Sequence, residues 1–395
     1  MAQLPGIGVF GTGTAVRCLV PLLKSCGFRV EALWGRTKEQ AEECARDLEI
    51  CFKTNEVDDV LLHKNVDLVF INCPPNQQTP IAVKALGIGK HVICGMPAGP
   101  TGRDALRMVL GARYYPLLMS LMCNGLRFLP CFVKMKNMID DGYLGEITVC
   151  EVRVHCGSSL KDKFDWMCDE LMGGGVLNIH GTVMIDLISY LTGYKASRVQ
   201  GLLKTYTKKT DKIKGIRQIT SDDFCSFQLE LDKGACATVI LNGHLPGQYM
   251  HEVLVCGTKG HLVVRGSDLY GQKNDWPKEE ALFKDAPNIL DHHNSGVSES
   301  IRADIPITHL KGLIKLIDSV KDAFKSIEEK HSWSRNPVAI AATFEDSHYI
   351  QSVVDCIRRS NKNQEWVKFE LAKDPPDPTE RNLAEKIKQS NKKNH

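Results

Sequence analysis

One stretch near the amino terminus constrains the fold more than any other. The apolar run Ile7-Gly8-Val9-Phe10 leads into Gly11-Thr12-Gly13-Thr14-Ala15-Val16, after which Val16, Leu19, Val20, Leu22 and Leu23 recur at helical spacing. A buried strand that turns through glycines into a helix is the context in which a Gly-x-Gly pair cradles a pyrophosphate. Gly11 permits the tight turn, Gly13 lets the backbone approach the phosphates, and the helix N-terminus offers N–H groups and a positive dipole end. Gly11, Thr12, Gly13, Thr14 and Ala15 are therefore the expected phosphate-binding set, although Val16 stands where a third glycine is usual. Pro21 should kink the helix, and Gly27 suits its C-terminal end.

The units that follow repeat the pattern. Arg29–Trp34 reads as a second strand, and Thr37 can N-cap a helix from Lys38 to about Leu48. Val66–Asn72 and His91–Cys94 read as buried strands separated by a helix at Ala82–Leu86. Alternation at these intervals means parallel β-α-β units, a Rossmann domain expected over residues 1–123. The second strand ends Trp34-Gly35-Arg36-Thr37, without the acidic residue that holds a ribose 2′-hydroxyl. Arg36 can instead grip a 2′-phosphate and Thr37 can donate to it, so the expected cofactor is NADP(H). Asn72, Cys73, Pro74 and Asn76 follow a parallel strand and should flank the nicotinamide side.

The character changes after Asn124. Glu146–Cys156, Phe224–Leu231, Ala235–Leu241 and His261–Val264 alternate apolar and polar residues, with Lys233–Gly234 as a hairpin turn. The fold class expected is α/β: the parallel Rossmann sheet, then an α/β domain with an open, mostly antiparallel sheet over residues 124–371. Leu310–Phe324 and Ala341–Ile357 read as amphipathic helices, and residues 372–395 as a polar, disordered tail. The net charge of +3 over 395 residues is too small to imply a nucleic-acid partner. No run of about 18 apolar residues is evident, so no membrane span is expected. Leu4–Leu23 lacks a basic leader and is interrupted by Arg17, which argues against a secretory signal. The fifteen cysteines include no Cys-x-x-Cys and read as free thiols of a reducing, cytoplasmic compartment. A working signal would instead place the chain outside the cell, as a matrix-type interaction protein.

Further motifs carry a resemblance. Leu86-Gly87-Ile88-Gly89-Lys90-His91-Val92-Ile93-Cys94, followed by Gly95-Met96-Pro97, resembles the Gfo/Idh/MocA oxidoreductases. So do Arg127-Phe128-Leu129-Pro130, Gly142–Glu146, Trp166 with Gly173-Gly174-Gly175-Val176-Leu177 to Gly181 and Asp186, Ser221-Asp222-Asp223, and Gly257–Gly260. The resemblance implies a nicotinamide cofactor bordered also by Pro97, a small-molecule ligand, and a homodimer or tetramer built through the second-domain sheet. It also exposes departures. The family's Glu-Lys-Pro tripeptide is Gly95-Met96-Pro97 here, and the Asp and His four residues apart on its glycine-rich helix are Ile179 and Val183. Met96, Ile179 and Val183 cannot move a proton, so the catalytic positions read as lost. His180 is the one candidate substitute, pointing about 100° from the Ile179 face on an α-helix. His155, Asp169, Asn178 and Arg127 are further candidates to line the cleft. His292–His293 and the basic group Lys208, Lys209, Lys212, Lys214 and Arg217 read as solvated surface, with no metal site expected.

Overall fold

The computed structural model describes residues 4–158, 160, 163–209, 217–247, 249–286, 297–325 and 332–373. The expected tail beyond residue 373, His292–His293, Lys212 and Lys214 lie outside the described residues.

The first sheet holds β1 (Gly6–Phe10), β2 (Arg29–Trp34), β3 (Phe52–Thr54), β4 (Leu68–Ile71), β5 (His91–Gly95) and β6 (Ser120–Cys123). Its helices are α1 (Thr14–Ser25), α2 (Lys38–Asp47), α3 (Val57–Leu61), α4 (Pro75–Gly87) and α5 (Gly102–Tyr114). The strands lie in the order β6-β5-β4-β1-β2-β3 and every one of those pairs is parallel. All-parallel strands are covered on both faces, which is why β1, β4 and β5 are buried at every position. The order reverses between β1 and β4, so a crevice opens beyond their carboxyl ends. The α1 helix runs through Pro21 as one element and ends at Cys26, with Gly27 at φ 92°.

The second sheet holds β7 (Ile147–His155), β8 (Ala196–Lys204), β9 (Phe224–Leu231), β10 (Cys236–Asn242), β11 (Met250–Gly257), β12 (Gly260–Arg265), β13 (Asp268–Lys273) and β14 (Glu280–Phe283). Two short strands, β15 (Ala342–Thr343) and β16 (Val367–Lys368), add to the edges of the first and second sheets respectively. All second-sheet pairs are antiparallel except the central β7–β10 pair, which is parallel. The inward face packs Cys150, Val152, Val154, Phe227, Val239 and Val253 against α6 (Pro130–Asp140), α7 (Thr182–Thr192) and α10 (Phe344–Asn363). The intervening helices α8 (Glu299–Asp304) and α9 (Ile307–Lys325) follow the sheet in sequence, and α9 packs instead on the first-domain core with Val16, Leu19 and Leu23.

One helical stretch, Glu170–Thr192, is long and apolar enough to cross a membrane, which the sequence expectation had excluded. Its most apolar 18-residue window is 78% buried, and its α7 portion fills the core of the second domain. All fifteen cysteines are free thiols, ten of them buried.

Candidate functional site in the cleft between the sheets

The carboxyl ends of four neighbouring strands build the cofactor side. Gly11 follows β1 with φ 127°, and a Cβ there would lie 2.5 Å from the Asn72 carbonyl oxygen after β4. Gly95 closes β5, and a Cβ there would meet the Asn72 side-chain oxygen at 2.5 Å. Asn72 thus occupies space that the first residue of a Glu-Lys-Pro tripeptide would need. Gly13 is the N-cap of α1, has no side-chain cap, and would meet nothing within 4 Å if given a Cβ. An exposed helix start without a side-chain cap, reached through Gly11 and Gly13, fits a dinucleotide pyrophosphate. Val16 is fully buried under this turn, filling the place of the missing glycine. Thr12 and Thr14 are half-buried at the turn, Ala15 and Asn76 are exposed, and Cys73 and Pro97 are buried beneath the crevice. Burial pushes the Cys73 thiol up to about 12, so it is no nucleophile.

At the end of β2, a Cβ on Gly35 would fall 2.8 Å from the Ala41 backbone nitrogen, so close packing of α2 leaves no room for an acidic side chain there. Arg36 is exposed and has no ion-pair partner among the described residues. Thr37 serves its own helix: its hydroxyl accepts from the Gln40 N–H at 3.3 Å. The Glu39 carboxyl is held below its usual range, first by its own backbone N–H and then by the Thr37 hydroxyl. Thr37 thus caps α2 with its hydroxyl oxygen, next to the exposed Arg36.

The glycine-rich segment forms the opposite wall. A Cβ on Gly173 would lie 2.7 Å from Pro75, so this segment abuts the start of α4 directly. Gly175, at φ 104°, leaves room for Asp222, whose carboxylate accepts from the Leu177 N–H at 2.8 Å. Burial raises the Asp222 pKa to about 6. Residues Leu177–Gly181 then run as a π-turn before α7 begins. The α-helical angle assumed for His180 is corrected accordingly, because about 4.4 residues fill each π turn.

The three departures sit in apolar surroundings. Met96 packs against both the first-domain and second-domain cores, and Val183 is a buried member of the latter. Ile179 is half-buried on the π-turn. Arg127 does not line the cleft as a free group. Its Nε donates to Asp186 Oδ2 at 2.8 Å, its Nη2 donates to Asp186 Oδ1, and Nη2 lies 3.2 Å from Asp346. Asp169 caps a short turn by accepting from Leu171 N–H. His155 falls on the outward face of β7 with Glu151 and Arg153, away from the helices. Asn178 is fully buried, and neither of its amide atoms has a partner among the described residues.

Sequence reasoning missed the groups around His180. Its ring lies 5.6 Å from that of Tyr249, which lies 5.7 Å from His251 and 4.8 Å from His309. Burial lowers the pKa of His180 and His251 to about 4, and that of His309 to about 3, the last also through the other two. The only local signal was Tyr249-x-His251 entering a strand, a spacing that turns both rings to one face. Among the described residues no group of three His, Cys, Asp or Glu is arranged to hold a metal.

Comparison with known proteins agrees with this geometry. A family model described as "Oxidoreductase family, NAD-binding Rossmann fold" matches residues 6–120, and one described as "GFO/IDH/MocA C-terminal domain" matches residues 132–263. Glucose-fructose oxidoreductase domain-containing protein 2 of Mus musculus is 49% identical over 391 residues, 99% of this chain and 100% of that one. The chain belongs to the Gfo/Idh/MocA oxidoreductase family. Another member, glucose-fructose oxidoreductase domain-containing protein 1 of Xenopus tropicalis, is 52% identical over 375 residues, 95% of either chain. Among solved Gfo/Idh/MocA-like folds, levoglucosan dehydrogenase in complex with NADH and L-sorbose superposes with TM-score 0.76. It is 20% identical and covers 94% of this chain and 100% of its own.

Proposed function

We propose that this protein is an NADP(H)-preferring member of its family that binds a small ligand beside the cofactor and turns it over slowly or not at all. The observation that carries this reading is the apolar packing of Met96 and Val183 where the family's proton-moving groups belong. A bound nicotinamide supplies hydride chemistry, and an alcohol or carbonyl partner also needs a proton moved at its oxygen. A positioned acid–base contributes roughly 10²–10⁴-fold to such a step. His180 is a poor replacement, because burial holds its pKa near 4 and it gives up a proton too readily to act as base.

The turnover prediction follows. Steady-state assays with NADP(H) and common sugars and polyols should give rates at least about 10²-fold below ordinary enzymes. Met96→Lys with Ile179→Asp and Val183→His should raise them. An ordinary rate in the wild type that His180→Ala abolishes would make His180 a relocated base and overturn the reading.

Cofactor preference rests on Arg36, free at the end of β2, with Gly35 excluding the usual acid. NADPH should bind about tenfold or more tightly than NADH, a difference of about 1.4 kcal/mol. Arg36→Ala should remove most of that preference and leave NADH affinity unchanged. Equal wild-type affinities in calorimetry would refute the assignment.

We also propose a homodimer through the outward face of the second sheet. That face carries Val149, Ile240, Leu254 and the 62%-exposed Met250 among polar neighbours. Light scattering should give about twice 44.0 kDa. A monomer at micromolar concentration excludes it.

A further inference from the structure

The edge of the first sheet opposite the cofactor crevice has no part in the function proposed above. Because β4, β5 and β6 run parallel, the loops that enter them lie side by side along that edge. Each loop presents a bare apolar side chain. Leu62 follows α3 and Ile88 follows α4, both exposed, while Tyr114 and Leu117 at the end of α5 are 79% and 86% exposed. Val83 and Leu110 add to them from the outer faces of α4 and α5. Thus six of the thirteen large apolar side chains exposed among the described residues belong to three consecutive helices and their loops. Single exposed apolar residues need no explanation, but a concentration of this kind marks a contact surface.

The backbone beneath these side chains is tied down. Lys90 Nζ donates to the Val66 carbonyl at 2.5 Å, joining the loop before β5 to the loop before β4. Trp333 Nε1 donates to the Leu117 carbonyl at 2.9 Å, and Arg335 to the Pro116 carbonyl at 3.2 Å. That segment hangs from α9 through the Ser334 N–H on the Ala323 carbonyl at 2.8 Å. The helix is itself immobile: a Cβ on Gly312 would fall 2.3 Å from the Gly125 carbonyl oxygen, so backbone lies against backbone. The charges along the edge are mostly basic. Lys64 is exposed and has no ion-pair partner among the described residues, Arg335 is exposed, and Arg113 lies 3.4 Å from Glu345. The other acid, Asp67, turns inward to accept from the Gly6 N–H at 3.4 Å.

We infer that this edge rests on a membrane surface carrying acidic lipid headgroups, with Tyr114 and Leu117 entering the interface and Lys64 and Arg335 facing the headgroups. Two properties select that occupant. Leu62, Ile88, Tyr114 and Leu117 together leave on the order of 500 Å² exposed, short of the roughly 800 Å² per partner of a stable protein interface. The basic side chains would also set two copies of this edge against each other, whereas they attract an anionic surface. The composition suits the purpose: tyrosine and tryptophan favour the headgroup level, and short apolar side chains beside them reach the acyl boundary. Because the crevice opens at the far edge of the sheet, a protein seated this way keeps its cofactor site in water.

Co-sedimentation of the full-length protein with sucrose-loaded vesicles tests this, using phosphatidylcholine alone or with 30 mol% phosphatidylserine. In 0.1 M salt, partitioning should be about tenfold or more stronger onto the vesicles with phosphatidylserine, and 0.5 M salt should remove most of that gain. Tyr114→Ser with Leu117→Ser should weaken partitioning onto both kinds of vesicle about tenfold or more. Lys64→Glu should cut the phosphatidylserine gain about fivefold and leave phosphatidylcholine binding unchanged. Tyr206→Ser removes an equally bare tyrosine from the second domain and should change neither. Since all these side chains are exposed, the thermal midpoint should stay put, which verifies folding. Absence of partitioning in 0.1 M salt overturns the inference, as does equal partitioning onto the two kinds of vesicle. Wild-type partitioning in the Tyr114, Leu117 double variant, or an equal loss in Tyr206→Ser, overturns it too. If light scattering without lipid shows that the double variant forms a smaller assembly than the wild type, the edge belongs to a second copy and the inference fails.

Discussion

Arg127→Met should lower unfolding stability by about 3–5 kcal/mol, read as a fall in the urea midpoint without loss of expression of the folded chain. Asp186 is fully buried, and its carboxylate accepts from Arg127 twice and from the Asn124 amide at 2.5 Å. Methionine matches much of the arginine volume, so the dominant cost is an anion left in the core with a single amide partner. The double variant Arg127→Met with Asp186→Asn removes that anion and should recover most of the loss. A single variant costing under about 1 kcal/mol, the size of an exposed pair, would show that the ion pair carries little of the junction.

Acidification should unfold the protein well above the range where carboxylates usually fail. A solvated histidine titrates near 6.5, whereas burial brings His180 and His251 down to about 4 and His309 to about 3. Between pH 6.5 and 4 the unfolded chain therefore takes up protons that the folded chain refuses. Stability is complete above pH 6.5 and is lost as pH falls toward the folded values. Asp222 runs the other way: its folded pKa is raised to about 6, so the folded chain binds that proton first and gains stability as pH falls from 6 toward 3.8. Three imidazoles less Asp222 leave a net of about two protons, or about 2.7 kcal/mol per pH unit at the steepest, and Asp355, whose carboxyl burial also raises, lessens that slope. Chemical denaturation at several pH values measures the slope. His309→Phe should reduce it by about one proton, and an unchanged slope in that variant would mean the cluster does not govern acid stability.

What the chain announces in advance is mostly local. The Phe224–Leu231 strand follows from strict alternation, and the helix after Thr37 from its cap, since both patterns depend on neighbours in sequence. The parallel β7–β10 pair was not legible, because alternation tells which face a residue takes and not which strand lies beside it. The π-turn at Leu177–Gly181 was hidden for a related reason: an apolar helix with one residue inserted keeps nearly the same pattern. On the cofactor side the glycines, Asn72 and Arg36 could be placed because a β-α-β unit fixes where strand ends go. The cluster around Tyr249 could not, since His180, His251 and His309 belong to three elements with no spacing rule between them. Thr37 was legible as a cap, since its hydroxyl accepts from a backbone N–H only three residues on.

The contact between Gly125 and Gly312 has a consequence for how distant sequence changes are felt. With no side chain between the two backbones there is no cushion to compress. A methyl group on Gly312 would have to move from 2.3 Å to at least about 3.4 Å from the Gly125 oxygen to reach ordinary contact, so α9 itself must yield by about an ångström. His309 rides one turn away on that rigid rod and must travel with it. Alanine at position 312 thus works as a lever: it touches no ring of the cluster, yet it resets the spacing between His309 and Tyr249.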